Sequence, residues 1–289
     1  PWKVPFSTCF SDIFRFFFDF EAAVSVFTKC KGDFWKNGGY AIGGIGWYRK
    51  TFELNEQDCN GHSLYIDFDG VYMNSEVWVN EHYMGKRPYG YISFGYDVTP
   101  YLKPGKNLIS VRVDNSHEPS ARWYHGCGIY GNVTLYVLPV SHFSKWGTFV
   151  YSTSADKDMA LMNISSEVEV RTNNPLFIEY TIESPERKVV YKSGRLSLDA
   201  NILTNNGVEI KTPVLWDIDN PRMYTLTSRL FENERIIDET IESFGIRNIK
   251  WDPETGFWLN GKNGSANFAK PLDNLSKSFC VFGSTAIPI

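Results

Sequence analysis

Residues 121–137, ARWYHGCGIYGNVTLYV, crowd into a short span the side chains from which a site could be built: Arg122, Trp123, Tyr124, His125 and Cys127. Arg122 can donate a fork of hydrogen bonds to hydroxyls or carboxylates, while Trp123 and Tyr124 offer flat faces to a ring-shaped ligand. The same aromatics can instead fill the end of a packed β layer, with Gly126 and Gly128 permitting a tight turn. His125 and Cys127 are potential metal ligands, yet two at i, i+2 without others nearby do not make a four-coordinate zinc site. No metal and no cofactor is therefore expected. The glycines of GGYAIGGIG (38–46) lead into a strand instead of joining strand to helix, so a dinucleotide loop is excluded there. Trp78 in EVWVN falls on the outer face of its strand by alternation, where it serves either as a sugar platform or as packing beneath a loop.

The elements that hold these residues read as strands. Leu64, Ile66 and Phe68 alternate in SLYIDF (63–68), Ile109, Val111 and Val113 in LISVRVD (108–114), and Val133, Leu135 and Val137 in NVTLYV (132–137). Period-two alternation gives strands with one buried face, as in a sandwich. Turn signals lie between them in DFDG (67–70) and KPGKN (103–107). A second series follows LPVSHFS (138–144): SSEVEVRT (165–172), LFIEYTI (176–182), KVVYK (188–192), YTLTSRLF (224–231) and ERIIDETI (234–241). Short strands at this spacing predict an immunoglobulin-like sandwich, without the Cys…Trp…Cys pattern of antibody domains. The two series should meet near residues 138–146, with little helix between 40 and 250.

Composition narrows the function. The 289 residues are 43% hydrophobic and 21% charged, with a net charge of −4, which disfavours a nucleic-acid partner. No run of about 18 uncharged apolar residues predicts a membrane-spanning helix, so no membrane partner is expected. Cys9, Cys30, Cys59, Cys127 and Cys280 are scattered and odd in number, which favours neither a zinc site nor a disulfide framework. No secretion signal is visible. The compartment is periplasmic or extracellular if a processed start has lost one, and cytoplasmic otherwise. Residues 1–36, rich in phenylalanine, and 264–289 show no sustained period; both remain unassigned and are expected to pack poorly.

Several motifs together resemble glycoside hydrolase family 2, and its bacterial β-galactosidases in particular. GGIGWYRKTFEL (43–54), DFDGVYMNSEVWVN (67–80), MGKRPYGYISFGYDVTPYLKPGKNLISVRVDNS (84–116) and RWYHGCGIYGNVTLYV (122–137) look like that family's sugar-binding domain. LWDIDNPRMYTLTSRL (215–230) and SFGIRNIKWDPETGFWLNGK (243–262) look like its immunoglobulin-like domain and the entry to its barrel. The resemblance implies an all-β chain: a jelly-roll-like galactose-binding sandwich over 37–140, an immunoglobulin-like sandwich over 145–250, and residues 251–263 leading towards a catalytic (β/α)8 barrel that the chain lacks.

In the family that barrel supplies two carboxylates about 5 Å apart, one the acid/base and one the nucleophile. The family's acid/base follows an asparagine in a GNE-type motif. Asn-Glu occurs here at 55–56, 80–81 and 233–234, each beside a strand pattern and none after a glycine. No pair of carboxylates in a loop context stands out either. The chain is thus expected to be the non-catalytic, sugar-binding scaffold of a family 2 enzyme, inactive alone, with a β-galactoside-like carbohydrate as weak ligand and a barrel in a longer parent as partner. The resemblance implies that Arg122, Trp123 and Tyr124 face the sugar. The family's usual GIYR is GIYG here, which removes an arginine at Gly131, and the pattern is lost before residue 40 and after 263, as in a truncated or frame-disrupted product. Two alternatives stay open: a stand-alone carbohydrate-binding module, and a structural or adhesive β-domain protein.

Overall fold

The structure, a computed structural model, describes residues 44–117 and 128–263 together with the backbone of 15–17. The chain divides at Val140/Ser141 into two compact units. Helix among the described residues is limited to single turns at Glu56–Cys59 and Thr99–Tyr101. No described helix is long and apolar enough to cross a membrane.

The first unit contains β1 (Arg15–Phe17), β2 (Ile45–Leu54), β3 (His62–Phe68), β4 (Val71–Tyr72), β5 (Ser75–Val79), β6 (His82–Arg87), β7 (Phe94–Asp97), β8 (Gly105–Asp114), β9 (Gly128–Ile129) and β10 (Val133–Pro139). They pair antiparallel as two four-stranded sheets, β1-β10-β3-β7 and β2-β8-β5-β6, with β4 and β9 as a separate ribbon. The alternation read from the sequence supplies the core. Leu64, Ile66, Phe68, Ile109, Val111, Val113, Val133, Leu135 and Val137 are all buried, joined by Val77 and Val79.

A polar clasp fixes the turn KPGKN. The Asn107 amide donates to the carbonyls of Lys103 (2.7 Å) and Gly105 (3.0 Å). Its oxygen accepts from Lys103 N (3.1 Å) and from Asn80 Nδ2 (2.7 Å). Asn80 also donates to the Tyr101 carbonyl and accepts from Leu108 N, which ties the β5–β6 turn to β8. Burying these amides is tolerated because their polar groups are met.

The second unit contains β11 (His142–Ala155), β12 (Met159–Glu169), β13 (Leu176–Glu183), β14 (Val189–Lys192), β15 (Leu196–Ser197), β16 (Ile202–Lys211), β17 (Tyr224–Glu232), β18 (Arg235–Phe244), β19 (Ile249–Asp252), β20 (Gly256–Leu259) and β21 (Lys262–Asn263). The sheets β11-β12-β16 and β14-β13-β17-β18, with β15 beside β13, share one core. Leu176, Ile178, Tyr180 and Ile182 of β13 and Leu226 and Leu230 of β17 are buried in it, which gives the immunoglobulin-like sandwich its filling. β11 and β12 are among the elements that differ from the sequence reading. β11 begins at His142, inside the stretch read as a connection, and only residues 165–169 of SSEVEVRT are strand, as the end of the longer β12, with Val170, Arg171 and Thr172 beyond it. β19, β20 and β21 form a small three-stranded sheet.

Candidate functional site

Of the stretch 121–137, residues 121–127 lie outside the described residues, and with them Arg122, Trp123, Tyr124, His125 and Cys127. The described remainder begins with β9, which pairs Gly128 with Tyr72 and Ile129 with Val71. Gly128 has φ +82°, and a Cβ there would run into the Tyr48 hydroxyl, so only glycine fits this turn. The Tyr130 and Gly131 amides both donate to the Gly70 carbonyl at 3.2 Å. A Cβ at Gly131 would stand 2.7 Å from Gly70 N and 2.8 Å from Asp69 Cβ. Gly131 thus lets two backbones approach closely.

This closure gathers tyrosines. The Tyr130 hydroxyl donates to the Gly90 carbonyl at 2.6 Å. Tyr72 and Tyr91 have ring centroids 5.3 Å apart, and Tyr89 meets Tyr91 edge-on at 5.8 Å. Tyr89, Tyr91 and Tyr130 are 60%, 51% and 49% exposed, with Ile92 exposed beside them. Partial burial, with the Tyr91 and Tyr89 phenols close by, pushes the Tyr130 hydroxyl above its ordinary pKa. The outcome is an end of the sandwich lined with aromatic faces and phenolic hydroxyls, groups that stack on a ring and hydrogen-bond to its hydroxyls. Sequence reasoning missed this cluster. Its signal was the alternating aromatics of YGYISFGY (89–96), which period-two patterning alone assigns to packing.

Trp78 is outward, as alternation predicted, and half-buried between Trp47 (5.3 Å) and Tyr83 (5.4 Å). The three Asn-Glu pairs all serve turns. Asn55 caps the Glu56–Cys59 turn through a capping box, Asn80 and Glu81 both take positive φ between β5 and β6, and Asn233 takes positive φ between β17 and β18. Glu234 is paired with Arg195. Two described carboxylates have pKa values raised by burial, Asp238 and Glu242. Asp238 accepts hydrogen bonds from the amides of Phe143 (2.9 Å) and Glu239 (2.9 Å), so it holds β11 to β18. Among the described residues no group of three or more His, Cys, Asp or Glu side chains is placed to hold a metal ion.

The described residues thus form two antiparallel sandwiches, the first of which carries the exposed tyrosine cluster. Residues 37–139 match the family model described as "Glycosyl hydrolases family 2, sugar binding domain", and residues 145–247 match "Glycosyl hydrolases family 2". The chain belongs to glycoside hydrolase family 2. It is 43% identical over 232 residues to a putative beta-glucuronidase of Formosa agariphila, covering 80% of this chain and 22% of that protein. A beta-galactosidase of Bacteroides ovatus is 42% identical over 236 residues, covering 80% and 28%. A solved family 2 member from Bacteroides cellulosilyticus superposes with a TM-score of 0.71 at 37% identity, covering 78% of this chain and 30% of that one. The chain therefore spans between a fifth and a third of the length of these relatives.

Proposed function

We propose that the chain is the non-catalytic, sugar-positioning part of a family 2 glycoside hydrolase acting on β-galactosides. The observation that carries this reading is the cluster of exposed tyrosines, Tyr89, Tyr91 and Tyr130, at one end of a sandwich that matches the family's sugar-binding domain. Arg122, Trp123 and Tyr124 complete the proposed sugar-facing set. A β-glucuronide is the second reading, favoured by the name of the 43%-identical relative.

Retaining cleavage needs an acid/base and a nucleophile about 5 Å apart in a loop-built cleft. The described carboxylates supply no such pair: the buried Asp238 is bound to two backbone amides, and Glu242 stands on the same sandwich strand. The chemistry accordingly falls to a (β/α)8 barrel outside the matched region, and these domains contribute ring stacking and hydrogen bonds to sugar hydroxyls. A half-site binds weakly, on the order of millimolar, because affinity for sugars comes from several converging polar contacts.

The test is titration of the purified chain with galactose, glucuronate and their aryl β-glycosides, with turnover followed in parallel. Binding near the millimolar range, weakened by Tyr91→Ala and accompanied by no turnover, is the expected result. Micromolar binding would instead identify a self-sufficient carbohydrate-binding module. Turnover lost on replacing a single glutamate within 44–263 would overturn the non-catalytic assignment.

A further inference from the structure

A second group of rings lies on the outward face of the sheet β2-β8-β5-β6. Alternation turns Val77, Val79, Ile109, Val111 and Val113 into the core, which leaves Glu76, Trp78, Ser110, Arg112 and Asp114 outward. Register sets Trp47 opposite Arg112 and Trp78 opposite Ser110 on the strand between them. Because Ser110 is short, the two indoles meet across β8, their centroids 5.3 Å apart and their planes tilted by 32°. A register shift between β5 and β6 then brings Tyr83 opposite Trp78, which extends the row to a third ring at 5.4 Å. Trp47 is 39% exposed and Tyr83 55%. The row thus stands on paired strands, and ordering it for a ligand costs little side-chain entropy.

The groups around the rings are polar and mostly charged. Arg112 joins Asp114 (2.9 Å) and Glu76 (3.6 Å), and Lys86 approaches Glu76 at 3.9 Å. Such forks and carboxylates can bracket neighbouring hydroxyls of a sugar. The guanidinium of Arg49 stands 5.7 Å from the centroid of the Trp47 ring. The three cations Arg49, Lys86 and Arg112 face the two carboxylates Glu76 and Asp114, an excess of one positive charge. Glu53, farther along β2, is matched by Lys106 opposite it. A local positive excess beside aromatic faces, on a chain of net charge −4, is complementary to an anionic ring-bearing ligand. The outward aliphatic side chains of β2, β8 and β5, Ile45 and Leu108, sit towards the ends of the face.

We propose that the row Trp47–Trp78–Tyr83 is a platform for an acidic oligosaccharide, with sugar rings stacked on the indoles and a sugar carboxylate paired with Arg49. This platform is separate from the tyrosine-lined end and does not depend on the reading given to that end.

The test is calorimetric titration of the full chain with oligogalacturonides and with neutral galacto-oligosaccharides of the same length. The acidic ligand should bind more tightly, and its affinity should fall as salt rises. Trp47→Ala and Trp78→Ala should each weaken it by about tenfold, and Trp47→Phe should retain most of the affinity. Arg49→Gln, at an exposed position, should cost about fivefold for the acidic ligand and remove the preference over the neutral one. Urea unfolding of each variant separates lost binding from lost fold. Absence of acidic-oligosaccharide binding, binding unchanged in Trp47→Ala, or equal affinity for the neutral ligand would overturn the proposal. Loss of acidic binding in Tyr91→Ala with Trp47→Ala unaffected would place the ligand at the tyrosine cluster and refute the platform.

Discussion

Gly70→Ala tests whether the tyrosine-lined end is held by the close approach of backbone to ring. A Cβ at residue 70 would fall 2.5 Å from the Tyr130 hydroxyl oxygen and 2.6 Å from Cε2, and its nearest neighbours all belong to that ring. Gly70 has no positive φ, so alanine is acceptable to the backbone and the clash is with Tyr130 alone. The ring must swing away, losing the 2.6 Å hydrogen bond to the Gly90 carbonyl and its packing against residue 70. A hydrogen bond contributes a net of about 1 kcal/mol and the lost contacts about as much again, so the variant should lose about 2 kcal/mol. In a Tyr130→Ala background there is no ring to displace, and the same substitution should be nearly neutral. The assay is a double-mutant cycle on urea unfolding, read on the transition of the first unit, with a coupling of about 1.5–2 kcal/mol expected. Coupling below about 0.5 kcal/mol would refute the reasoning, because the two residues would then act independently.

Two further outcomes follow from the buried polar groups. Asn107→Ala breaks four hydrogen bonds at the β8 turn and should cost the first unit about 3 kcal/mol in urea unfolding while leaving the second transition in place. Burial raises the folded-state pKa of Asp238, so its contribution favours folding at low pH and is lost as pH rises through that raised value. Asp238→Asn, which can still accept the Phe143 amide, should flatten this part of the pH–stability profile. Asp238→Ala, which strands both amides, should cost about 2 kcal/mol at low pH and less as pH rises through the raised pKa, and a profile unchanged in the asparagine variant would refute the assignment.

The strands legible in the sequence are those with one face fully in the core. In β3, β8, β10 and β13 the buried apolar positions recur every second residue, so hydrophobic phase alone reveals them. β16 and β6 escape because both are edge strands with mostly exposed side chains, where nothing enforces alternation. β11 escapes for another reason. Its pairing with β12 shifts register between Phe143 and Thr148 and again between Ser152 and Ser154, and each irregularity resets the phase a periodic reading depends on.

The same distinction between phase and register governs the two aromatic surfaces. Alternation put Trp78 on an outer face, but only the pairing of β8 with both β2 and β5 brings Trp47 beside it. Tyr72, Tyr91 and Tyr130 come from three separate segments, joined by the β4–β9 ribbon and by a hydrogen bond to the Gly90 carbonyl. No local spacing encodes either meeting. A resemblance to a family supplies the missing register, because matched motifs carry their pairing with them, whereas a lone motif such as an Asn-Glu step carries none. All three such steps here prove to be turn devices, and each could be seen as one from its neighbours: an asparagine that accepts positive φ or caps a helix is the residue a tight reversal needs. Chemistry read from residue types is therefore trustworthy in proportion to how many independent strands must agree to assemble it. By that measure the aromatic row on β2, β5 and β6 makes a stronger case for binding than any single carboxylate among the described residues.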